Sequence, residues 1–368
     1  MKICILTSGH DVFDNRIYFK EILSLKKIYS EIYMVAPGEK DFITEQGIIV
    51  KCFKKRKAWY DRFRPMKEMF DLAFNINADV YHAHEPDSFQ VALKLKKRLN
   101  SKAIFDSHEY HPEAFAEHFP VGKTFVTKTI YLYEKIMCKK ADYIISVNDI
   151  LVDKFKRYNK NVALIPNYPN MESVSKEYSE KPTFIYVGGI REDRGILKIL
   201  EAIELVDKDY KFVFVGAFET EEVKVKIESY LKKNLNDKDI VFTGKVPHLK
   251  VFSYLKKSDV GFVILQPNNW RYINSEPIKL FEYMISTTAI IASDFPMMRK
   301  IVEDAQCGVL VNPIDEKSIA DAIISLGEKR EKTKEMAFKG NEVVVKKYSW
   351  SIVEKTLLDA YSELEKNI

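Results

Sequence analysis

Twelve short apolar runs separated by helical patterns constrain the fold of this chain more than any other feature. In the first half they are KICILT (2–7), IYMVA (32–36), DVYHAH (79–84), AIFDSH (103–108), DYIISVN (142–148) and NVALIPN (161–167). In the second half they are FIYVGG (184–189), KFVFVGA (211–217), IVFTGK (240–245), VGFVIL (260–265), AIIASD (289–294) and GVLVNP (308–313). Between the first two runs, Tyr18, Ile22, Leu25 and Tyr29 recur at helical spacing. Strand–helix alternation predicts an α/β fold with parallel sheets covered on both faces, and two series predict two doubly wound domains. The join falls in IPNYPNMESVSKEYSEKPT (165–183), rich in Pro, Asn and Ser. The expected domains are 1–168 and 169–349, followed by an amphipathic helix over 350–368 that no strand follows.

At 368 residues, 46% hydrophobic and 30% charged, the chain has the composition of a globular protein with sizeable cores. Met1–His10 reads as a first strand rather than a secretory signal, and no stretch is long and apolar enough to span a membrane. Cys4, Cys52, Cys138 and Cys307 stand singly, which suits neither a disulfide framework nor a zinc ribbon, so a reducing cytoplasm is expected. The net charge is +5, but residues 1–170 hold 28 Lys and Arg against 21 Asp and Glu. Much of the excess lies in KCFKKRKAWYDRFRPMK (51–67), where Phe53, Trp59, Tyr60 and Phe63 interleave with the cations. Such a stretch suits an anionic membrane surface or, equally, a solvated loop. No motif for nucleic acid accompanies it.

Ligands in doubly wound sheets bind beyond the carboxyl ends of the strands. Several runs end there in polar or glycine-containing turns: His82 and His84, Asp106 to Glu109, Gly188–Gly189, Gly216 and Gly244. The segment YVGGIREDRGILKILEAI (186–203) is a strand, a glycine turn, a basic loop and a helix. Arg191 and Arg194 there suit phosphate oxygens beside a helix N-terminus, or a plain solvated helix start. Neither a GK[ST] ending nor a GxGxxG is present, which removes support from NTPase and NAD readings. In NSEPIKLFEYM (274–284), Pro277 suits the first helical position with Ser275 or Glu276 as cap, and Lys279 and Glu282 share a face opposite Leu280, Phe281 and Met284. This helix is either an amphipathic element with a surface ion pair or an anion site with a carboxylate one turn in. His82, His84, His108 and His111 with Glu85 and Glu109 raise the possibility of a metal, but HExxH spacing is absent and no metal is expected. The DKD triplets at 207–209 and 237–239 lie in Lys-rich connections and read as solvated turns.

Taken together, SGHDVFDNRIYFKEILSL, VYHAHEPD, FDSHEYHPE, IPNYPN, YVGGIREDRGI, PIKLFEYM with AIIASDFPMMRKIV, CGVLVNP and YSWSIVEKTLLDAY resemble glycosyltransferase family 4 along nearly the whole chain. The resemblance implies retaining enzymes of the GT-B fold, two Rossmann-like domains facing across a cleft. It implies a nucleotide-sugar donor on the second domain, the acceptor on the first, and no metal cofactor. By position, Glu282 is similar to the glutamate on the nucleotide ribose, and Arg194, with Arg191 as second cation, to the basic group on the diphosphate. Lys279 would aid the phosphates, His108 matches a histidine near the donor sugar, and Gly9 matches a small residue beside the phosphates. Gly188, Gly189, Gly216, Gly244, Asn274, Glu276, Pro277 and Ile278 fall on the donor side, and Asp14, His84 and Glu109 on the acceptor side. The family has two glutamates eight positions apart, whereas here Asn274 stands eight before Glu282 and Glu276 six before it. The last helix in the family crosses back onto the first domain.

The resemblance therefore implies transfer of a hexosyl unit from a UDP-sugar, ahead of a GDP-sugar, to a hydroxyl of a lipid-linked glycan in surface polysaccharide synthesis. The expected location is the cytoplasm, with peripheral docking on the inner face of the membrane through 51–67. A nucleotide-sugar epimerase or hydrolase of the same fold would need an acid/base pair, for which Asp106, Glu109 and His111 are available. A non-catalytic subunit, motivated by Asn274, is the other alternative.

Overall fold

A computed structural model describes residues 1–58, 60–119, 121–170 and 175–366. Trp59 and residues 171–174 of the predicted linker lie outside the described residues. The chain divides into two compact units, Met1–Asn167 with Val353–Ile368, and Tyr168–Ile352. The chain thus passes to the second unit at Tyr168, and the returning segment begins at Val353.

The first unit holds β1 (Ile3–Leu6), β2 (Ile32–Pro37), β3 (Phe42–Ile43), β4 (Ile49–Phe53), β5 (Val80–Ala83), β6 (Lys102–Ser107), β7 (Tyr143–Ser146) and β8 (Val162–Leu164). They form one sheet in the order β3-β4-β2-β1-β5-β6-β7-β8. Every pairing is parallel except β3 with β4. Ile3, Ile5 and their neighbours are buried without alternation, as strands covered on both faces must be. Six of these strands coincide with the six apolar runs; β3 and β4 were not expected. β4 is half-exposed near the sheet edge, and its Lys51 and Cys52 read in sequence as the start of a basic loop. This corrects the reading of 51–67 as one segment. Its first three residues close β4 and its last five open the helix Phe63–Ile76, which buries Met66, Met69, Ala73 and Ile76.

The second unit holds β9 (Thr183–Val187), β10 (Lys211–Val215), β11 (Asp239–Gly244), β12 (Val260–Val263), β13 (Ala289–Ser293) and β14 (Gly308–Val311), in the parallel order β11-β10-β9-β12-β13-β14. Strand periodicity sorts its core into two layers. Phe184 and Tyr186 of β9 face a cluster with Ile199, Leu200 and Ile323, while Ile185 and Val187 face Leu280, Phe281, Met284 and Ile301.

In both sheets the winding reverses beside the first strand of the unit, between β1 and β5 and between β9 and β12. A crevice opens at such a point beyond the strands' carboxyl ends. The helix Trp350–Glu365 carries the chain back to the first unit. It buries Leu357, Ala360, Tyr361 and Leu364 there, and the Tyr361 hydroxyl meets His82 Nδ1 at 2.8 Å. Among the described residues no helix is long and apolar enough to cross a membrane.

Candidate functional site

At the reversal in the second unit, β9 and β12 pair only through Val260 and Gly261 and then part. Tyr283 fills the opening. Its hydroxyl accepts from Val187 N–H at 3.0 Å and donates to the Phe262 carbonyl at 3.3 Å, replacing the missing ladder. Tyr283 lies on the helix Ile278–Ile285, whose Leu280, Phe281, Met284 and Ile285 are buried. Burying each contributes roughly 1.5–3 kcal/mol, so this helix is fixed firmly against the sheet. Its start differs from the expectation. Pro277 is itself the extended N-cap, and no side chain caps the first turn, because Ser275 Oγ donates to the Tyr272 carbonyl instead. The positive end of the helix dipole lies at this first turn.

Lys279, one residue into this helix, projects its Nζ 3.9 Å from the centre of the Tyr186 ring. The atom is shut from solvent and has no hydrogen-bond acceptor among the described residues. Burial, followed by the nearby Arg194 charge, pushes its pKa well below the usual lysine range, against the opposing pull of Glu282. Glu282, one turn on, is buried at 7% exposure. A surface ion pair is therefore not what this helix carries. A cation stripped of water and lacking an acceptor is costly unless an anion joins it.

The opposite wall comes from the turn after β9. Gly188 has φ +131°, a conformation open to glycine, and its N–H donates to the Val215 carbonyl at 2.9 Å. A Cβ there would lie 3.2 Å from Arg194 Nη1 and 3.5 Å from both Lys279 Nζ and Tyr186 Oη. The missing side chain leaves a small cradle between two cations and a hydroxyl. Gly216, at the end of β10, serves from behind: a Cβ there would meet the Gly188 carbonyl at 1.8 Å, and its N–H donates to the Gly244 carbonyl at 3.1 Å. Gly189 follows, its carbonyl accepting from Tyr186 Oη at 2.9 Å.

Arg194 ends the short turn Glu192–Arg194 and hydrogen-bonds the hydroxyls of Tyr272 and Tyr186. Tyr272 Oη in turn donates to Asp193 Oδ2 at 2.9 Å. Arg191 is placed differently from the expectation. Its guanidinium is spent on Asp193 at 2.9 Å and Glu219 at 2.7 Å, so it braces the loop that holds Arg194 instead of offering a second phosphate donor. Asn274 closes the helix Trp270–Ile273, its amide donating to the Trp270 carbonyl at 3.0 Å, and Glu276 is half-buried beyond it. Ile278 is the first helical residue and contributes backbone only to this arrangement.

At the reversal in the first unit the loop after β1 wraps a carboxylate of its own chain. Glu85 caps the helix Pro86–Leu99 and accepts from Thr7 Oγ1 at 2.6 Å, Ser8 N at 2.9 Å, Ser88 Oγ at 3.0 Å and Gly9 N at 3.2 Å. Gly9 therefore gives its N–H to Glu85. Next to it His10 holds Asp14 through Nδ1 at 2.9 Å, and its Nε2 lies 3.2 Å from His108 Nε2. Burial lowers the His10 pKa, but the bond to Asp14 and the charges of Glu85 and Glu109 outweigh it and raise it overall. Burial raises Asp14, yet His10 and the N–H groups of Ile17 and Arg16 bring it down to about 2. His10, Asp14 and His108 are thus one assembly at the strand ends, and Glu109 is exposed beside it.

Beneath them lies a fully buried polar cluster of Glu21, His82, His84 and Asp106, whose ligand-type atoms all fall within 4.8 Å of one another. Arg16 enters it, 2.8 Å from Glu21 and 2.7 Å from Asp106, and donates to the Ile165 carbonyl at 2.9 Å. Arg16 brings a single positive charge to these two carboxylates, and burial, only partly offset by that charge, pushes the Glu21 pKa well above the usual carboxylate range. Two assignments change here. His84 is stacked on His82 with no exposed surface, so it does not touch an acceptor. Asp106 is locked under Arg16 and held well below the usual carboxylate range, burial being outweighed by that charge and by the neighbouring histidines. His111 is half-buried with its Nε2 enclosed, and desolvation of the ring pushes its pKa down to about 3. Neither is poised for acid/base exchange with a ligand.

Sequence reasoning missed Tyr283, Tyr272, Asp193, Arg16 and His10. For His10 a signal existed in SGH directly after β1. For Tyr283 none did, because a tyrosine within an apolar helix reads as core.

Two family models cover most of the chain: residues 167–343 match glycosyl transferases group 1, and residues 27–171 match glycosyltransferase family 4. A phosphatidyl-myo-inositol mannosyltransferase of Mycobacterium leprae is 23% identical over 299 residues, 77% of this chain and 73% of its own length. Among solved structures, sucrose-phosphate synthase from Thermosynechococcus elongatus superposes with a TM-score of 0.78 at 17% identity, covering 100% of both chains. The Anabaena protein HepE in complex with UDP-glucose does so with a TM-score of 0.74 at 12% identity, covering 99% of this chain and 100% of that one. These likenesses identify the architecture as GT-B.

Proposed function

Because the chain belongs to the group 1 glycosyl transferases with a family 4 N-terminal region, and is a glycosyltransferase, we propose that it moves a hexosyl unit from a nucleotide-diphosphate sugar, UDP- ahead of GDP-, to a hydroxyl of a lipid-linked glycan in surface polysaccharide synthesis. One observation carries this reading: the Lys279 Nζ, buried without an acceptor among the described residues, faces with Arg194 the space left by the absent side chain of Gly188. A diphosphate oxygen is the ligand that such a cradle satisfies. Glu282, buried one turn along the same helix, is assigned the ribose hydroxyls.

Departure of the nucleoside diphosphate is the step that requires help. Lys279, Arg194 and the uncapped helix start lower the energy of the charge that develops there; removing one such donor typically costs on the order of 3 kcal/mol, about a hundredfold in rate. The retaining course has the leaving phosphate take the acceptor's proton as the new bond forms on the same face, so no side-chain base is needed and no metal ion is required. His108 orients the donor sugar, with His10 and Asp14 holding it. HepE, by its description, binds UDP-glucose, and the M. leprae relative is named for a lipid acceptor, which supports both ends of the reaction as proposed. The basic aromatic stretch at 51–67 is assigned to peripheral contact with the membrane. Of the acid/base groups an epimerase would need, Asp106 is locked under Arg16 and the His111 pKa is held low, which leaves only the exposed Glu109.

Thermal-shift measurement across nucleotides and nucleotide sugars, followed by transfer assays with the stabilising donor, tests this reading, because a specific ligand raises the midpoint by mass action. Stabilisation by one nucleotide series, with turnover lowered at least tenfold in a folded Arg194→Ala variant, is expected. Near-normal turnover of that variant removes Arg194 from the diphosphate.

A further inference from the structure

We propose that the exposed face of the helix Lys123–Cys138, with the lysine-lined pocket beside it, is the surface on which the first unit docks to an anionic phospholipid bilayer. This deepens the membrane reading given for residues 51–67 and moves its centre to a different element.

The helix has two unlike sides. Toward the unit it buries Glu134 and Cys138; Glu134 pairs with Lys154 at 2.9 Å, and Tyr131 hydrogen-bonds Glu113. Away from it stand Phe125 at 76% exposure, Leu132 at 60% and Ile136 at 47%, which with Thr129 recur at spacings of four, three and four and so form one stripe. Val121, just before the helix, is 85% exposed. Lys123, Lys128 and Lys135 lie along the same helix, and Lys139 and Lys140 follow it. The single acid of the helix, Glu134, faces inward. An outer face made of apolar side chains among cations is the composition of a helix lying in a lipid interface.

The pocket gives a second observation. It encloses about 760 Å³ and is lined by Lys94, Lys96, Lys97, Lys102, Lys140 and Tyr133, among others. Lys96 is tied to Asp142 at 2.7 Å, while Lys94, Lys97, Lys102 and Lys140 have no carboxylate partner among the described residues. Tyr133, 45% exposed, belongs to the helix and to the pocket, so the apolar stripe and the cationic recess are continuous. Arg62 pairs at 2.7 Å with Asp87, on the helix that also carries Lys94 and Lys97 of the pocket, and lies 4.9 Å over the Phe115 ring. Exposed Tyr60 and Phe63 flank Arg62.

Charge complementarity selects the occupant. A second copy of the chain would set lysines against lysines. The aromatic and aliphatic side chains project from a convex helix instead of lining a groove, which suits insertion among acyl chains, while the recess beside them suits a lipid phosphate headgroup.

Flotation with vesicles of phosphatidylcholine alone, and of equal parts phosphatidylcholine and phosphatidylglycerol, tests the proposal at low and high salt. Three variants are compared with wild type: F125S/L132S/I136S, K94E/K97E/K140E and K54E/K55E/K57E. Wild type is expected to float with the anionic vesicles only, and less at high salt. The first two variants are expected to lose at least tenfold in partitioning, with unchanged thermal midpoints and unchanged turnover on a water-soluble acceptor. Equal flotation of wild type with both vesicle types, or wild-type partitioning of the first two variants, overturns the proposal. Loss confined to the 54–57 variant likewise overturns this surface. A wild-type dimer that the serine variant dissociates assigns the face to a second copy, and stabilisation by inorganic phosphate equal to that by anionic vesicles assigns the pocket to free phosphate. Both results contradict lipid docking. Flotation is read without glycosyl transfer, so failure of the transfer assay leaves this test intact.

Discussion

Lys279 ties protonation to ligand binding at the scale of a single residue. Burial and Arg194 keep its pKa low in the free protein, and a diphosphate placed beside it favours the ammonium. The complex then binds more protons than the free protein, so nucleotide affinity falls as pH rises. Calorimetry in buffers of different ionisation enthalpy is expected to show proton uptake on binding, and Lys279→Met is expected to abolish that uptake and weaken affinity at least tenfold. His10 makes a separate prediction. Its pKa is raised above the ordinary 6.5, so its contribution to stability is complete below about pH 6.5 and is lost as pH rises through the raised value. Asp14, lowered from 3.8 to about 2, contributes above its ordinary value and loses that contribution as the pH falls toward 2. The stability gap between wild type and His10→Gln, on the order of 1 kcal/mol for a partly exposed pair, should be widest between about pH 4 and pH 6.5 and shrink on either side in chemical denaturation. Lys279 and Arg194 were legible in the sequence because both flank a helix start after a strand. The commitment of Arg191 to Asp193 and Glu219 was not, since Glu219 arrives from beyond the next strand.

Among the elements, the helix Ile278–Ile285 decides the geometry of the site. Its apolar face fixes the axis, and Tyr283 sets the depth by bridging β9 to β12. Tyr283→Phe keeps the ring but leaves the Val187 N–H and Phe262 carbonyl buried and unpaired. The expected cost is about 1–3 kcal/mol in denaturant unfolding, together with weaker nucleotide binding as Lys279 and Glu282 shift. Each of the twelve apolar runs became a strand, and the central ones, such as β1, β5, β9, β12 and β13, were plain because a strand buried on both faces leaves an uninterrupted hydrophobic record. β4 left none: at Ile49–Phe53 only Val50 and Phe53 are buried, and the lysines that follow disguise its end. The cap of the Ile278–Ile285 helix was misread for a related reason. Ser275 has a nearer carbonyl at Tyr272, offered by a short helix that the sequence did not announce.

Over the whole molecule, two sheets of one winding pattern have divided their labour. Both reverse beside their first strand, and in both a loop with backbone N–H groups stands at the reversal. In the first unit those groups close on Glu85, an anion built into the chain. In the second the Gly188 and Ile190 N–H groups are spent on the Val215 and Ala217 carbonyls, and it is Arg194 and an unsatisfied Lys279 that await an anion from outside. The spacing of motifs along the chain carried the architecture, but not this division, because Glu85 looks in sequence like any helix cap. The central claim is that the diphosphate of a nucleotide sugar is seated by Lys279, Arg194 and the turn at Gly188, with Glu282 on the ribose. A crystal structure with nucleoside diphosphate bound tests it most directly. Phosphate oxygens within about 3 Å of Lys279 Nζ and the Arg194 guanidinium, and ribose hydroxyls on the Glu282 carboxylate, are the expected result. A diphosphate bound elsewhere, with Lys279 still facing only the Tyr186 ring and Glu282 remote from the sugar, would contradict it.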